Sequence, residues 1–126
     1  MSYTAVSQCR NDHSTWLKSL DFYDEEFDIL ENRLVEIVKK NNSHDAMAGV
    51  EHFQNQFIVQ RNNIDELMHS IKEHDAKVAA DVKVHAGKIE TELVNEHNRL
   101  HEQVDTFEKI VKDLRQEFNS FLSRWI

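Results

Sequence analysis

The stretch LVNEHNRLHEQVDTFEKIVKDLRQEFNSFLSRW, residues 93–125, decides the fold. Two series recur along it every seven positions. One is Leu93, Leu100, Phe107, Leu114 and Phe121; the other is His97, Val104, Val111, Phe118 and Trp125. Their spacings of four and three wind both onto one stripe of an α-helix, as in the seam of a bundle. His97 is the single polar residue in the two series.

The first part of the chain repeats the pattern. Val6, His13, Leu20, Phe27 and Leu34 are seven apart, and Cys9, Trp16, Tyr23, Leu30 and Ile37 follow three behind. One helix over about 3–40 carries both series. Its acidic run, Asp21 to Asp28, lies mostly off the stripe, and Lys39 and Lys40 fall where the helix dipole favours cations. Asn41-Asn42-Ser43 interrupts the register. Asn tolerates the left-handed backbone that ends helices, and Ser43 is suited to cap a second helix with Asp45 in its first turn.

The middle segment again runs in sevens: Val50, Phe57, Ile64, Ile71, Val78 and His85, with Ala46, Phe53, Gln60, Leu67, His74 and Asp81 beside them. Gly87 predicts the end of this helix, giving helices over about 43–86 and 88–126. A rival break has Asp75 capping a helix from Ala76. The unslipped register through Ile71, Val78 and His85 favours Gly87, and so does the resulting match in length. Three rods of roughly 40 residues, about 60 Å at 1.5 Å per residue, can cover one another fully. The chain therefore reads as one all-α domain over 1–126, an up-down-up antiparallel three-helix bundle. Phe22, Ile29, Ile58, Ile110 and Leu122 lie off the stripe. They either widen the buried face or form a homodimer surface that completes a larger bundle.

Composition agrees and excludes several roles. Two glycines, no proline and 30% charged residues suit helices. A net charge of -8 argues against nucleic-acid partners and against anionic membrane surfaces. No apolar run nears the roughly 20 residues of a membrane helix. Met1-Ser2-Tyr3-Thr4 lacks the opening of a secretion signal, and Cys9 has no partner for an internal disulfide. Cytoplasmic residence is the expectation.

Eight histidines are the unusual feature. Folding the helices back near 42–43 and 86–87 sets His13 opposite roughly residue 72 and His74 opposite roughly residue 99. His13, His74 and His97 then share one level to within about one turn. His101 follows His97 by four, Cys9 precedes His13 by four, and Glu96 flanks the seam, while His69 points outward. One reading is a metal site for Zn or Fe, or Cu or Ni, with His13, His74, His97 and His101 as candidate ligands and Glu96 or water as further donors. Haem would need small residues around it, and Ala79-Ala80 alone offer that. The other reading is a polar layer that fixes register, and that opens as imidazoles charge below about pH 6.5. The function expected is thus an interaction or assembly module with a protein partner or second copy, or else a metal-binding bundle. Burial of about 20 seam side chains, at roughly 1.5–3 kcal/mol each before entropy, would fold it with no cofactor required. Cys9 reads as a small buried apolar residue, and Trp16, Trp125 and the phenylalanines as core. Short loops leave no cleft for a hydrolase, and His-Glu-x-x-His, Gly-rich phosphate loops and Cys-x-x-Cys are absent.

Some strings resemble known families. His97-x-x-x-His101 is similar to one piece of the hemerythrin ligand set, which would carry over to His97 and His101 with His13 from the first helix. That family draws ligands from four helices and uses bridging carboxylates; three helices are read here. Glu66-x-x-His69 resembles a ferritin-like di-iron half-site, without the second half. His52-Phe53-Gln54-Asn55-Gln56-Phe57-Ile58 and Thr106-Phe107-Glu108-Lys109-Ile110 resemble segments of small bacterial helical-bundle proteins with no assigned activity. Three long helices with a tryptophan in the first are also similar to spectrin-type repeats, in architecture and not in function.

Overall fold

Helix α1 (Tyr3–Lys40), α2 (His44–Val84) and α3 (Thr91–Trp125) account for nearly all of the described chain. The structure, a computed structural model, describes residues 3–84 and 90–126, with side chains from Val6 onward. The helix α2 passes through Asp75 without a break, so Asp75 caps nothing and the rival division of the chain fails. The expected reversal at Ala86-Gly87 lies outside the described residues. α3 begins later than the expected Lys88, at Thr91, with extended Glu90 preceding it.

The first turn is held by its own side chains. Ser43 Oγ accepts the Ala46 N–H at 3.1 Å, the cap its position predicts. Asn41 donates its side-chain amide to the Ile37 carbonyl at 3.1 Å and to the Trp125 carbonyl at 2.8 Å. One amide thus serves carbonyls near the C-terminal ends of two helices, and the Ile37 carbonyl also accepts the Asn41 backbone N–H at 3.0 Å.

The pairing is antiparallel between neighbours in sequence. Arg10 meets Asp75, Arg61 meets Asp24 at 3.2 Å, and Lys77 meets Glu96 at 3.6 Å. α1 and α3 run parallel, with Arg115 reaching Glu26 and Asn41 reaching Trp125. This is the up-down-up arrangement. The acidic run on α1 stays largely exposed and gathers a cation from α2. Arg61, three-quarters buried, pairs with Asp24, Asp28 and Glu31 together.

Burial follows the seven-residue series. A large apolar core holds Trp16, Leu20, Phe27, Phe57, Ile64, Ile71, Val104, Phe107 and Phe118, among others. Phe53 and Phe57 each meet Phe118 edge to face, with centroids 5.2 Å apart. A smaller core, Val6, Cys9 and Val78, closes the other end with Val82, Leu93 and Val94. The histidine layer separates the two. Among the off-stripe residues, Phe22, Ile29, Ile58 and Ile110 are exposed and Leu122 packs against the large core.

Gly49 sits inside α2 because Phe121 lies on it: an added Cβ would collide with Phe121 Cε1. Glycine costs a helix about 1 kcal/mol relative to alanine. Gly49→Ala should therefore return about 1 kcal/mol only in a Phe121→Ala background, and less or none in the unaltered chain. Urea midpoints of the four chains measure the difference.

Candidate metal centre

Three imidazoles meet at the boundary between the two cores. His13 comes from α1, His74 from α2 and His97 from α3; all are buried, His74 completely. Their ring centroids stand 4.9 to 5.5 Å apart. His13 Nε2 is 2.9 Å from His74 Nδ1 and 3.2 Å from His97 Nδ1. Trp16 covers the layer on the side of the large core, stacked on His97 at 4.9 Å.

The other nitrogen of each ring is committed to an acceptor. His13 Nδ1 lies 2.7 Å from an Asp75 carboxylate oxygen. His97 Nε2 is 3.0 Å from Asp12 Oδ2, and His74 Nε2 is 2.9 Å from the Leu93 carbonyl. Carboxylates and carbonyls only accept, so each of these nitrogens must carry the hydrogen. The partners thereby fix the tautomers. In neutral rings the inner nitrogens, His13 Nε2, His74 Nδ1 and His97 Nδ1, are then left with lone pairs and no hydrogen.

Lone pairs facing lone pairs at 2.9 and 3.2 Å repel unless something positive lies between them. One extra proton on His13 Nε2 would face both lone pairs and could be shared between them, but burial opposes that charge and lowers the His13 pKa; a proton on His74 or His97 would resolve one contact alone. A second would bring two charged imidazoles together in an apolar interior. A cation lying between the inner nitrogens would relieve both contacts without charging a ring. Nitrogens about 2.0–2.1 Å from a tetrahedral Zn stand about 3.3–3.4 Å from one another, a little wider than the 2.9 and 3.2 Å that separate His74 and His97 from His13 Nε2. Outer N–H groups held by carboxylate or carbonyl are also how metal-bound histidines are oriented.

Electrostatics support neutral rings at His13. Burial lowers its pKa most, the Asp75 hydrogen bond opposes this, and His74 and His97 add to the lowering, for a net fall below 6.5. Burial pushes Asp75 upward, but hydrogen bonds from His13 and Arg10 outweigh it and hold the carboxyl below 3.8. Arg10 grips that carboxylate with two nitrogens, at 3.1 and 3.2 Å.

The expected ligands divide. His13, His74 and His97 come together as their levels imply. His101 does not join them: its side chain is half exposed, pairs with Asp105 at 3.2 Å and touches the edge of Trp16. His101 follows the seam residue Leu100 by one position, a rotation of about 100°, which carries it off the seam. Glu96 pairs with Lys77. His69 is exposed beside Glu73, so the Glu66-x-x-His69 string faces solvent. Three participants were not expected from the sequence. Asp12 and Asp75 hold the outer nitrogens. Cys9 joins the group, with one ligand atom from each of Cys9, His13 and His97 within 4.8 Å of the other two. Burial, then Asp12 and Asp75, push the Cys9 thiol up to about 11, so it is protonated at neutral pH.

Among the described residues no helix is long and apolar enough to cross a membrane. Comparison with known proteins finds no matching family, no matching curated protein and no matching solved structure.

The direction of the His13 shift sets a pH dependence. The unfolded chain takes up this proton at 6.5 while the folded chain resists it, so the contribution is complete above 6.5 and is lost as pH falls below it. Protonation of Asp75 below 3.8 removes more. The groups facing His13 are Cys9 and Asp12 on α1, His74 and Asp75 on α2, and His97 on α3. In chelator-treated protein the thermal midpoint should decline as pH drops through 6.5, and a His13→Gln chain should show a flatter decline.

Proposed function

We propose that this bundle binds a divalent transition-metal cation between its three helices, with His13, His74 and His97 as ligands. The supporting observation is that three outer nitrogens are tied to acceptors while the inner nitrogens of His74 and His97 both face His13 Nε2, at 2.9 and 3.2 Å. Asp12 and Asp75 act as outer partners that orient the rings and raise their basicity. Zn is the cation such nitrogens suit first; imidazole also takes Fe, Cu and Ni. The rings are too deeply buried for a substrate to reach, so the role is binding, as sensor, store or structural cross-link, and not hydrolysis. A reducing compartment such as the cytoplasm would keep Cys9 a thiol beside the site.

Titrating the chelated chain with Zn(II) and measuring bound metal tests this reading. One equivalent should be retained and should raise the melting temperature, because the ion binds the folded state. His97→Ala should lose the equivalent, and Asp12→Asn should weaken it by about 10–100-fold. Retention of no metal above trace by the unaltered chain defeats the proposal and leaves a polar layer.

A second role is supported by the exposed Phe22, Ile29, Ile58 and Ile110, which give the outer faces apolar contact points for a partner or second copy. Sedimentation should show mass rising with concentration, reduced in a Phe22→Glu, Ile29→Glu chain. A monomer at every concentration removes self-association.

A further inference from the structure

The three-histidine site leaves Cys9 without a task, although it lies one helical turn before His13 on the same face of α1. It is buried to 2% exposure, between the small apolar core and the imidazole layer. A ligand atom from each of Cys9, His13 and His97 falls within 4.8 Å of the other two, and His74 Nδ1 reaches them through His13 Nε2 at 2.9 Å. In a tetrahedral Zn site a sulfur at about 2.3 Å and a nitrogen at about 2.0–2.1 Å stand about 3.6 Å apart. To share one ion, Cys9, His13 and His97 would draw in from separations of up to 4.8 Å, and His74 would follow from its place beside His13 Nε2.

We propose that Cys9 is the fourth ligand, a thiolate that closes the histidine site into a Cys-His-His-His cage for a borderline-soft cation of the Zn class. The inference rests on the metal reading above and sharpens it. A fourth protein ligand fills the position that catalytic zinc sites keep open for water, so the cage is of the closed, structural kind. Sulfur also selects against the hard, oxygen-loving cations Mg and Ca. Binding exchanges one proton for the ion: the S–H bond breaks, the S–metal bond forms, and the proton leaves to solvent. The thiolate charge then offsets half of the dication's in surroundings that contain little water.

Titration with Co(II), a coloured stand-in for Zn, separates this inference from its foundation. The unaltered chain should develop visible bands of tetrahedral cobalt together with a near-ultraviolet thiolate-to-cobalt charge-transfer band, both saturating at one equivalent. Cys9→Ser and Cys9→Ala chains should keep visible bands and lose the charge-transfer band. Visible bands without charge transfer in the unaltered chain overturn the role of Cys9 and leave the histidine site standing. No cobalt uptake overturns both. The spectrum of the unaltered chain decides the matter even if a Cys9 variant fails to fold.

Discussion

Three hydrogen bonds pointing outward from one buried layer constrain everything else in this bundle. Asp75, Asp12 and the Leu93 carbonyl each take the N–H of a different imidazole, and each bond crosses from one helix to another. An unsatisfied polar group in such an interior costs about 1–3 kcal/mol, so alternative registers that break these bonds are penalised together. Sliding any helix by one residue moves it about 1.5 Å and turns it about 100°, which would break its contacts to the layer. Apolar seams are forgiving of such slips. The histidines are not, and so they specify the alignment that leucine and phenylalanine merely stabilise.

The acceptors are arranged crosswise. Asp12 precedes His13 in the chain but serves His97, while Asp75 follows His74 but serves His13. Each aspartate flanks a seam histidine of its own helix and reaches over to the neighbour's. Arg10 then neutralises Asp75 from the solvent side, which keeps the carboxylate ionised and strong as an acceptor.

The fold was legible because seven-residue spacing reports which side of a helix faces inward, and little else was needed. The levels of His13, His74 and His97 followed from turn positions and the constant rise of a helix. Ser43 was readable as a cap, since that role needs only a local side chain. The acceptors were not readable: Asp12 and Asp75 lie just beside the stripe, and whether a flanking carboxylate bends inward or into water is a matter of rotamer and neighbouring helix. His101 shows the converse, a residue near enough in sequence to suggest a ligand and rotated out of reach. Cys9 fitted the apolar stripe so well that its chemistry was hidden by its packing. The useful signal in hindsight was an aspartate adjacent to a seam histidine on two separate helices.

The layer also cuts the interior into blocks of very unequal size, with Val6, Cys9 and Val78 beyond it at one pole. Such a pole can fray on its own, since the polar plane transmits little of the hydrophobic cooperativity that unites the rest. Amide hydrogens around Val78 would then exchange through a shallow opening, while those around Phe57 would wait for global unfolding. An ion clasped across the plane would weld the two blocks into one cooperative unit, so occupancy could be broadcast as order or disorder at a single tip of the rod.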